Sequence, residues 1–348
     1  MTIDKLKYFN LTTFADVINA TTSSGSGNDL SPEMKTFYDK KLLQDAEPEL
    51  IHDQFAVKRP IPKNGGKIIE FRKFSSLQKA TTPLTEGTPP DAAAMNVSYI
   101  TATVAQYGNV VKLTDMLEMT AIDNVILEAE GSLSTNAGKT LDTITREVIN
   151  AGTNVIYAPI VNGSTVTPVT ARTSITSASR LRVEDVKLAA LQLKRYNTPK
   201  INGSYVAIIH PDVAHDLMNS DEWIDVVKYS AVDKIFNGEI GKLAGIRFIE
   251  NTEAKIFAAG GASRSGTGKT NVYSTLVFGA NAYATTEISG GGLQMIVKQK
   301  GSAGTSDPLD QISSIGWKAT KVAKILNGNY IVRIESSCEN EETAVSNA

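Results

Sequence analysis

Cysteine is almost missing from this chain. The single residue, Cys338, excludes an internal disulfide, and no Cys or His stands near it in sequence to suggest a zinc site. A lone thiol of this kind reads as a small apolar residue packed into an interior. Histidine is nearly as scarce, with only His52, His210 and His215, so general acid–base chemistry has few participants. There is no dense Lys/Arg run and the formal net charge is −2. No electrostatic grip on phosphate backbones is therefore legible, and a nucleic-acid reader is disfavoured. No stretch reaches the roughly 18 apolar residues that a membrane span requires, and the opening MTIDKLKYFNLTTFADVINA lacks the basic start and apolar run of a signal peptide. The expectation is a protein of cytosol-like conditions with no membrane partner. A G-x-S-x-G elbow, a Cys-x-x-Cys pair and a dinucleotide fingerprint are all absent.

What is present is 348 residues with 41% hydrophobic content, enough for about two or three modest domains with real cores. The first sixty residues read as an arm carrying short helices: a polar run, TTSSGSGN, precedes SPEMKTFYDKKLLQDAEPEL, where Ser31 and Pro32 make a helix start. In NGGKIIEFRKF, Ile69 and Phe71 alternate with Glu70 and Arg72 as on a strand, and the expected partner is YITATVAQYGNVVKL, Tyr99 to Leu113. The roughly two dozen residues between them, with Pro83, Gly87, Pro89 and Pro90, have no helical or strand period. They read as the extended tip of a long hairpin. An isolated two-stranded hairpin is marginal in water, so a neighbouring copy of the chain is its most economical cover.

After a turn at TDMLEMT, the residues Ile122, Ile126, Ala129, Leu133, Ala137, Leu141, Ile144 and Val148 form one apolar stripe, which predicts a helix over about 122–150 and roughly 40 Å long. So narrow a stripe suits a helix lying across a sheet or a neighbour, although a core helix carries the same pattern. VEDVKLAALQLKRYN predicts a shorter helix with Val186, Ala189, Ala190 and Leu193 on one face, SYVAIIH a buried strand, and PDVAHDLMNS another helix. IFNGEIGKLAGIRFIE leads through glycines into a strand. VYSTLVFG, GGLQMIVKQK, ISSIGWKATKVAKIL and NYIVRIES read as strands, before a polar tail, CENEETAVSNA, expected to fray. The fold class is α+β.

Two motifs invite chemistry. GGASRSGTGKT ends in Gly268-Lys269-Thr270 like a phosphate-binding loop, but Ser263 stands where the first glycine belongs, and a strand-like run follows where a helix is needed. It reads as a mobile linker. HPDVAHD gathers His210, Asp212, His215 and Asp216, yet the histidines are five apart and fall on different helix faces, which suits a strand-to-helix entry better than a metal site. Neither motif implies a cofactor.

The run GGKIIEFRKFSSLQKATTPLTEGTPPDAAAMNVSYITATVAQYGNVVKLTDMLEMT and the long helix after it resemble the major capsid proteins of tailed bacteriophages, in the family like the coliphage N-four capsid protein. NGEIGKLAGIRFIEN and DPLDQISSIGWKATKVAKIL extend the likeness from about Leu50 to Glu335. The resemblance implies a Hong Kong 97-type capsid fold: an N-terminal arm (1–60), an extended hairpin loop (61–112), a peripheral domain with a spine helix (113–195 and 263–340), an axial domain (196–262) and a tail (341–348). It implies no enzyme and no cofactor, but a virion shell of hexamers and pentamers assembled in the host cytoplasm. Portal, scaffold and decoration proteins are the further partners, with non-specific contact to packaged DNA. The expected contact residues between copies are Leu84, Thr85, Glu86, Gly87, Thr88, Pro89, Pro90 and Asp91 on the hairpin, and Glu128 and Lys139 on the exposed side of the helix. The competing readings are a nucleotide hydrolase using Lys269 and another virion structural component.

Overall fold

A computed structural model describes residues 50–339, except 75–76, 78, 82, 84–85, 88–91, 121–124, 221–222, 224–240, 265–267 and 303–306. In chain order the strands are β1 (Val57–Lys58), β2 (Ile68–Phe74), β3 (Val97–Thr103), β4 (Ala105–Thr114), then α1 (Asp115–Thr120) and α2 (Val125–Asn150). Next come β5 (Val155–Tyr157), β6 (Ile160–Asn162), β7 (Thr165–Thr167), α3 (Val183–Arg195), β8 (Tyr205–Ile209), α4 (Pro211–Met218), β9 (Lys242–Leu243), β10 (Ile246–Glu250) and β11 (Ile256–Phe257). The last part is all strand: β12 (Ser263–Arg264), β13 (Gly268–Lys269), β14 (Val272–Phe278), β15 (Tyr283–Thr286), β16 (Gln294–Lys298), β17 (Ile312–Ile325) and β18 (Ile331–Ser336).

Two sheets organise these elements. One has seven strands, in the order β5-β18-β14-β8-β10-β9 with β11 beside β14; the other has five, β1-β15-β17-β16 with β4 also on β17. The central strands of the first are buried on both faces: β8, the strand read as buried from SYVAIIH, and β14 and β18 have no exposed residue. On one side, the predicted apolar face of α3 (Val186, Ala189, Ala190, Leu193) packs with Val213, Ala214 and Leu217 of α4. On the other side lie Ile149, at the end of α2, and the Phe278–Tyr283 edge-to-face pair.

The long helix α2 begins within the described residues at Val125 and ends at the expected Asn150. Leu133, Ala137 and Leu141 press onto Leu113, Ile315, Trp317 and Ala319, so the helix does lie across a sheet. Its last turns are also enclosed on their polar side, where Asp142, Thr145 and Arg146 are buried. The narrow stripe thus describes the first half of the helix, whereas the second half runs between the two sheets.

Three expectations are corrected. The segment Tyr99 to Leu113 is not a single partner for β2. Only β3 pairs with β2, from Ile68↔Thr103 to Phe74↔Val97. After Val104, whose N–H donates to the Lys67 carbonyl at 2.8 Å, β4 turns away and pairs along ten residues of β17, from Thr114↔Ile312 to Ala105↔Lys321. A partner some two hundred residues distant leaves no local trace. TDMLEMT is helix, not turn: Met and Leu are good helix formers, and the Asp115 and Thr114 side-chain oxygens accept from the N–H groups of Met116 (2.8 Å) and Leu117 (3.4 Å). GGASRSGTGKT is anchored at its base, not a loose linker. Gly261 and Thr270 are hydrogen-bonded, β12 pairs with β13, and a Cβ on Gly261 would sit 2.6 Å from the Ile175 carbonyl oxygen. Most of the CENEETAVSNA tail and the arm up to residue 49 lie outside the described residues.

Candidate functional site

The expected contact residues divide into three groups. Glu86 and Gly87 sit exposed in a turn, with Gly87 at φ +79 and nothing within 4 Å of the position a Cβ would take there. Leu84, Thr85, Thr88, Pro89, Pro90 and Asp91 lie outside the described residues. Glu128 is exposed in the first turn of α2, while Lys139 is exposed but pairs within the chain, at 3.1 Å from Glu253.

The hairpin β2–β3 is two-faced because of its register. One face, with Phe71 and Ala102 buried and Ile69 and Ile100 partly so, packs on Ala284, Val57, Val322 and Leu326. The opposite face carries Ile68, Phe74, Val97 and Tyr99, with Arg72 over the Tyr99 ring at 5.9 Å. Ile68, Phe74 and Tyr99 remain 58–59% exposed. At the far end of β4, Met116 and Met119 of α1 are also 62–68% exposed, and the Asp115 N–H donates to the Gln311 carbonyl at 2.9 Å. Large apolar side chains gathered in this way mark surfaces that meet another molecule.

Where the arm enters the described fold, sequence reasoning missed a buried polar clasp. His52, fully buried, pairs through Nδ1 with Asp142 Oδ2 at 2.6 Å, and its backbone N–H donates to Asp142 Oδ1 at 2.8 Å. Asp53 accepts from the Thr145 hydroxyl at 2.6 Å and from the Lys321 ammonium, which also donates to the Leu141 carbonyl at 2.8 Å. The Tyr283 hydroxyl donates to the His52 carbonyl. The clasp thereby ties residues 52–53 to α2 and to β15 and β17 of the five-stranded sheet. Its members come from positions 90 to 268 residues apart, so no spacing rule finds them. Burial pushes the Lys321 ammonium below its usual range, against the pull of Asp53.

Burial, reinforced by the charges of Asp53 and Asp142, holds the Tyr283 phenol well above its usual pKa near 10. The native state therefore keeps a proton that the unfolded chain loses, and the stability this group contributes is present below about pH 10 and lost above it. Tyr283→Phe is expected to flatten the alkaline decline of the thermal midpoint between about pH 9.5 and 11 relative to the parent. Parallel declines in the two proteins would contradict this assignment.

The remaining motifs have structural roles. Lys269 lies on β13, an exposed strand, and no helix follows: Thr270 is buried and leads into β14. His210 caps α4 by accepting from the Asp212 N–H at 3.3 Å with Pro211 in the first turn, and burial lowers its pKa. His215 is exposed on another face. Among the described residues no three His, Cys, Asp or Glu side chains converge on a point where a metal would sit. Cys338 is buried beside the α3–α4 core. A second ionic cluster is also architectural: buried Glu335 accepts two bonds from Arg172 (2.6 and 2.7 Å) and one from Arg333 (2.8 Å), with Arg172 stacked 3.4 Å from the centre of Phe257. What the chain presents to the outside is surface.

Comparison with known proteins shows the family. The profile of the phage capsid protein family matches residues 120–325, well over half of the chain. The chain belongs to the phage capsid protein family. Solved capsids share its fold. That of Ralstonia phage GP4 is 12% identical with a TM-score of 0.63, covering 99% of this chain and 100% of that one. The capsid of cyanophage P-SCSP1u is 15% identical with a TM-score of 0.59, covering 92% and 94%. The head of Helicobacter pylori bacteriophage KHP40 is 11% identical with a TM-score of 0.58, covering 97% and 99%. No curated protein matches the chain. This is the Hong Kong 97-type fold, and the capsid protein is a structural component of the virion, not an enzyme. No helix among the described residues is long and apolar enough to cross a membrane.

Proposed function

We propose that this capsid protein is the repeating subunit of an icosahedral head, in which hexamers and pentamers enclose double-stranded DNA. The observation that carries the proposal is the bare outer face of the β2–β3 hairpin, with Ile68, Phe74 and Tyr99 in solvent. A two-stranded ribbon with one face covered by its own subunit becomes stable and useful when another copy covers the second.

In this reading residues 1–60 act as the arm and 61–112 as the hairpin loop. The sheet of β17 and helix α2 serve as the peripheral domain, and residues 196–262 as the axial domain. The hairpin tip from Leu84 to Asp91 and the exposed side of α2 near Glu128 are the contacts between copies. Lys139 contributes there only by exchanging its Glu253 partner. Portal, scaffold and decoration proteins complete the head.

The full-length chain expressed alone, or with a scaffold where one is needed, is expected to form uniform closed particles in negative-stain micrographs. Chains that stay monomeric at high concentration under both conditions would refute the reading.

A further inference from the structure

A cavity of about 500 Å³ opens where four parts of the chain meet: Val161 on β6, residues 178–182 before α3, the end of α4, and Glu339 just after β18. The backbone holds these parts together, since the Val161 N–H donates to the Ala178 carbonyl at 3.4 Å and the Ser337 N–H to the Ser179 carbonyl at 2.8 Å. The charged groups on the wall are Arg180, Arg182, Asp216 and Glu339. All but Asp216 are matched. Arg180 pairs with Glu339 at 3.0 Å, and Arg182 pairs with Asp185 at 3.1 Å and with Glu184 at 3.2 Å. The Asp216 side chain is 4% exposed, and its Oδ2 accepts from the Glu339 backbone N–H at 2.8 Å. Its Oδ1 is buried and has no hydrogen-bond partner among the described residues.

A buried carboxylate oxygen without a partner carries its full desolvation cost. Position adds to that cost. Asp216 lies near the C-terminal end of α4, where the helix dipole opposes negative charge. His215 Nδ1 is 3.9 Å from Oδ1, beyond hydrogen-bond reach, and its ring faces the Asn219 amide nitrogen at 3.3 Å. Burial accordingly pushes the Asp216 carboxyl above its usual range, against the Glu339 N–H and the charge of Arg180. An entering cation would relieve all of this. The rest of the wall is partly apolar, with Val161, Ala178 and Leu181. Ser220, whose hydroxyl donates to the Leu217 carbonyl at 2.7 Å, keeps lone pairs for a further donor.

We propose that this cavity binds a small organic amine, with the ammonium on Asp216 Oδ1 and the alkyl chain along Val161 and Leu181. The site lies within one subunit, so it stands apart from shell building and does not depend on it. An ammonium suits it better than a guanidinium. The Glu339 N–H occupies Oδ2 and leaves one oxygen, whereas the forked donors of a guanidinium are matched by two. A bare divalent ion suits it less, because such an ion takes several oxygen ligands and Asp216 is the one unmatched carboxylate on the wall among the described residues. The volume exceeds that of an ion many times over and leaves room for an alkyl chain.

The test uses the full-length chain at neutral pH with n-butylammonium as the probe, its binding followed by saturation-transfer NMR of the probe signals. The parent is expected to bind it saturably and to ignore the neutral analogue n-butanol. Asp216→Asn keeps the shape and an acceptor for the Glu339 N–H, and is expected to weaken the amine by about tenfold or more. Glu86→Gln, which removes an exposed carboxylate from the hairpin turn, should change affinity by less than about twofold. Thermal denaturation is a second readout. Without amine, Asp216→Asn should melt at or above the parent, because an unmatched buried charge is gone; with saturating amine, only the parent's midpoint should rise. A purely structural Asp216 would leave both midpoints responding alike, and that result overturns the inference. So does a parent that binds no amine saturably, or one whose affinity Asp216→Asn does not change. Self-association of the parent that n-butylammonium inhibits and Asp216→Asn abolishes would overturn the free-amine assignment and give the cavity to a lysine of another copy.

Discussion

A chain lacking Glu86 to Pro90 is expected to fold, stay soluble and build no closed shells. The deletion spares every paired residue of the hairpin, because pairing begins at Phe74↔Val97 and ends at Ile68↔Thr103. The buried side, with Phe71 and Ala102 against Ala284, is likewise untouched. Shortening a loop of this length changes closure entropy by less than about 1 kcal/mol, so the circular dichroism spectrum and thermal midpoint should match the parent. What is lost is reach, since each residue removed takes up to about 3.3 Å from the chain between Phe74 and Val97, where the proposed contact with another copy lies. Closed particles of normal diameter in micrographs of the deleted chain would show that the tip is dispensable.

Lys321→Met is expected to be the most damaging single substitution in the subunit, lowering stability by about 3–5 kcal/mol, because it strands the Asp53 carboxylate among buried groups. The ammonium it removes serves Asp53 and the Leu141 carbonyl together. Adding Asp53→Asn should recover most of that loss. The amide retains an acceptor for the Thr145 hydroxyl and carries no charge to be left uncompensated. Chemical denaturation of parent, single and double variants measures the difference. A single variant within about 1 kcal/mol of the parent would mean that the pair is hydrated in solution. The clasp also binds the end of the arm to α2 and the five-stranded sheet, so the single variant should expose residues near 50–56 to protease before the core opens.

Much of the local architecture was legible. The periodicity of Leu133, Ala137 and Leu141 predicted α2 but left open whether a sheet, a neighbouring copy or a core receives it, and Val186, Ala189, Ala190 and Leu193 predicted the buried face of α3. Pro211 and Asp212 marked the entry to α4, and the strand after Thr270 was enough to remove Lys269 from a phosphate-binding role. Each of these depends on neighbours within a few residues, where propensity and periodicity act. The hairpin was legible in part. Alternation identified its first strand, but the exposed apolar face of Ile68, Phe74 and Tyr99 was not read from it, and nothing in YITATVAQYGNVVKL says that Ala105 to Thr114 would leave β2 for β17. TDMLEMT was misread because its helix is only six residues long and depends on side-chain caps at Thr114 and Asp115.

The sequence by itself determined the classes of element, the scarcity of catalytic side chains and, through the hairpin and spine-helix segments, the capsid resemblance. Only the tertiary structure decided which charges meet. His52, Asp53, Asp142 and Lys321 are scattered along the chain and become one clasp where the arm, the helix and the sheet converge. Lys112, Lys298 and Lys318 never form a run in the sequence. Strand pairing sets them side by side on one face. Electrostatic and packing energies depend on distance in space, and a sheet brings together residues that the covalent chain keeps far apart.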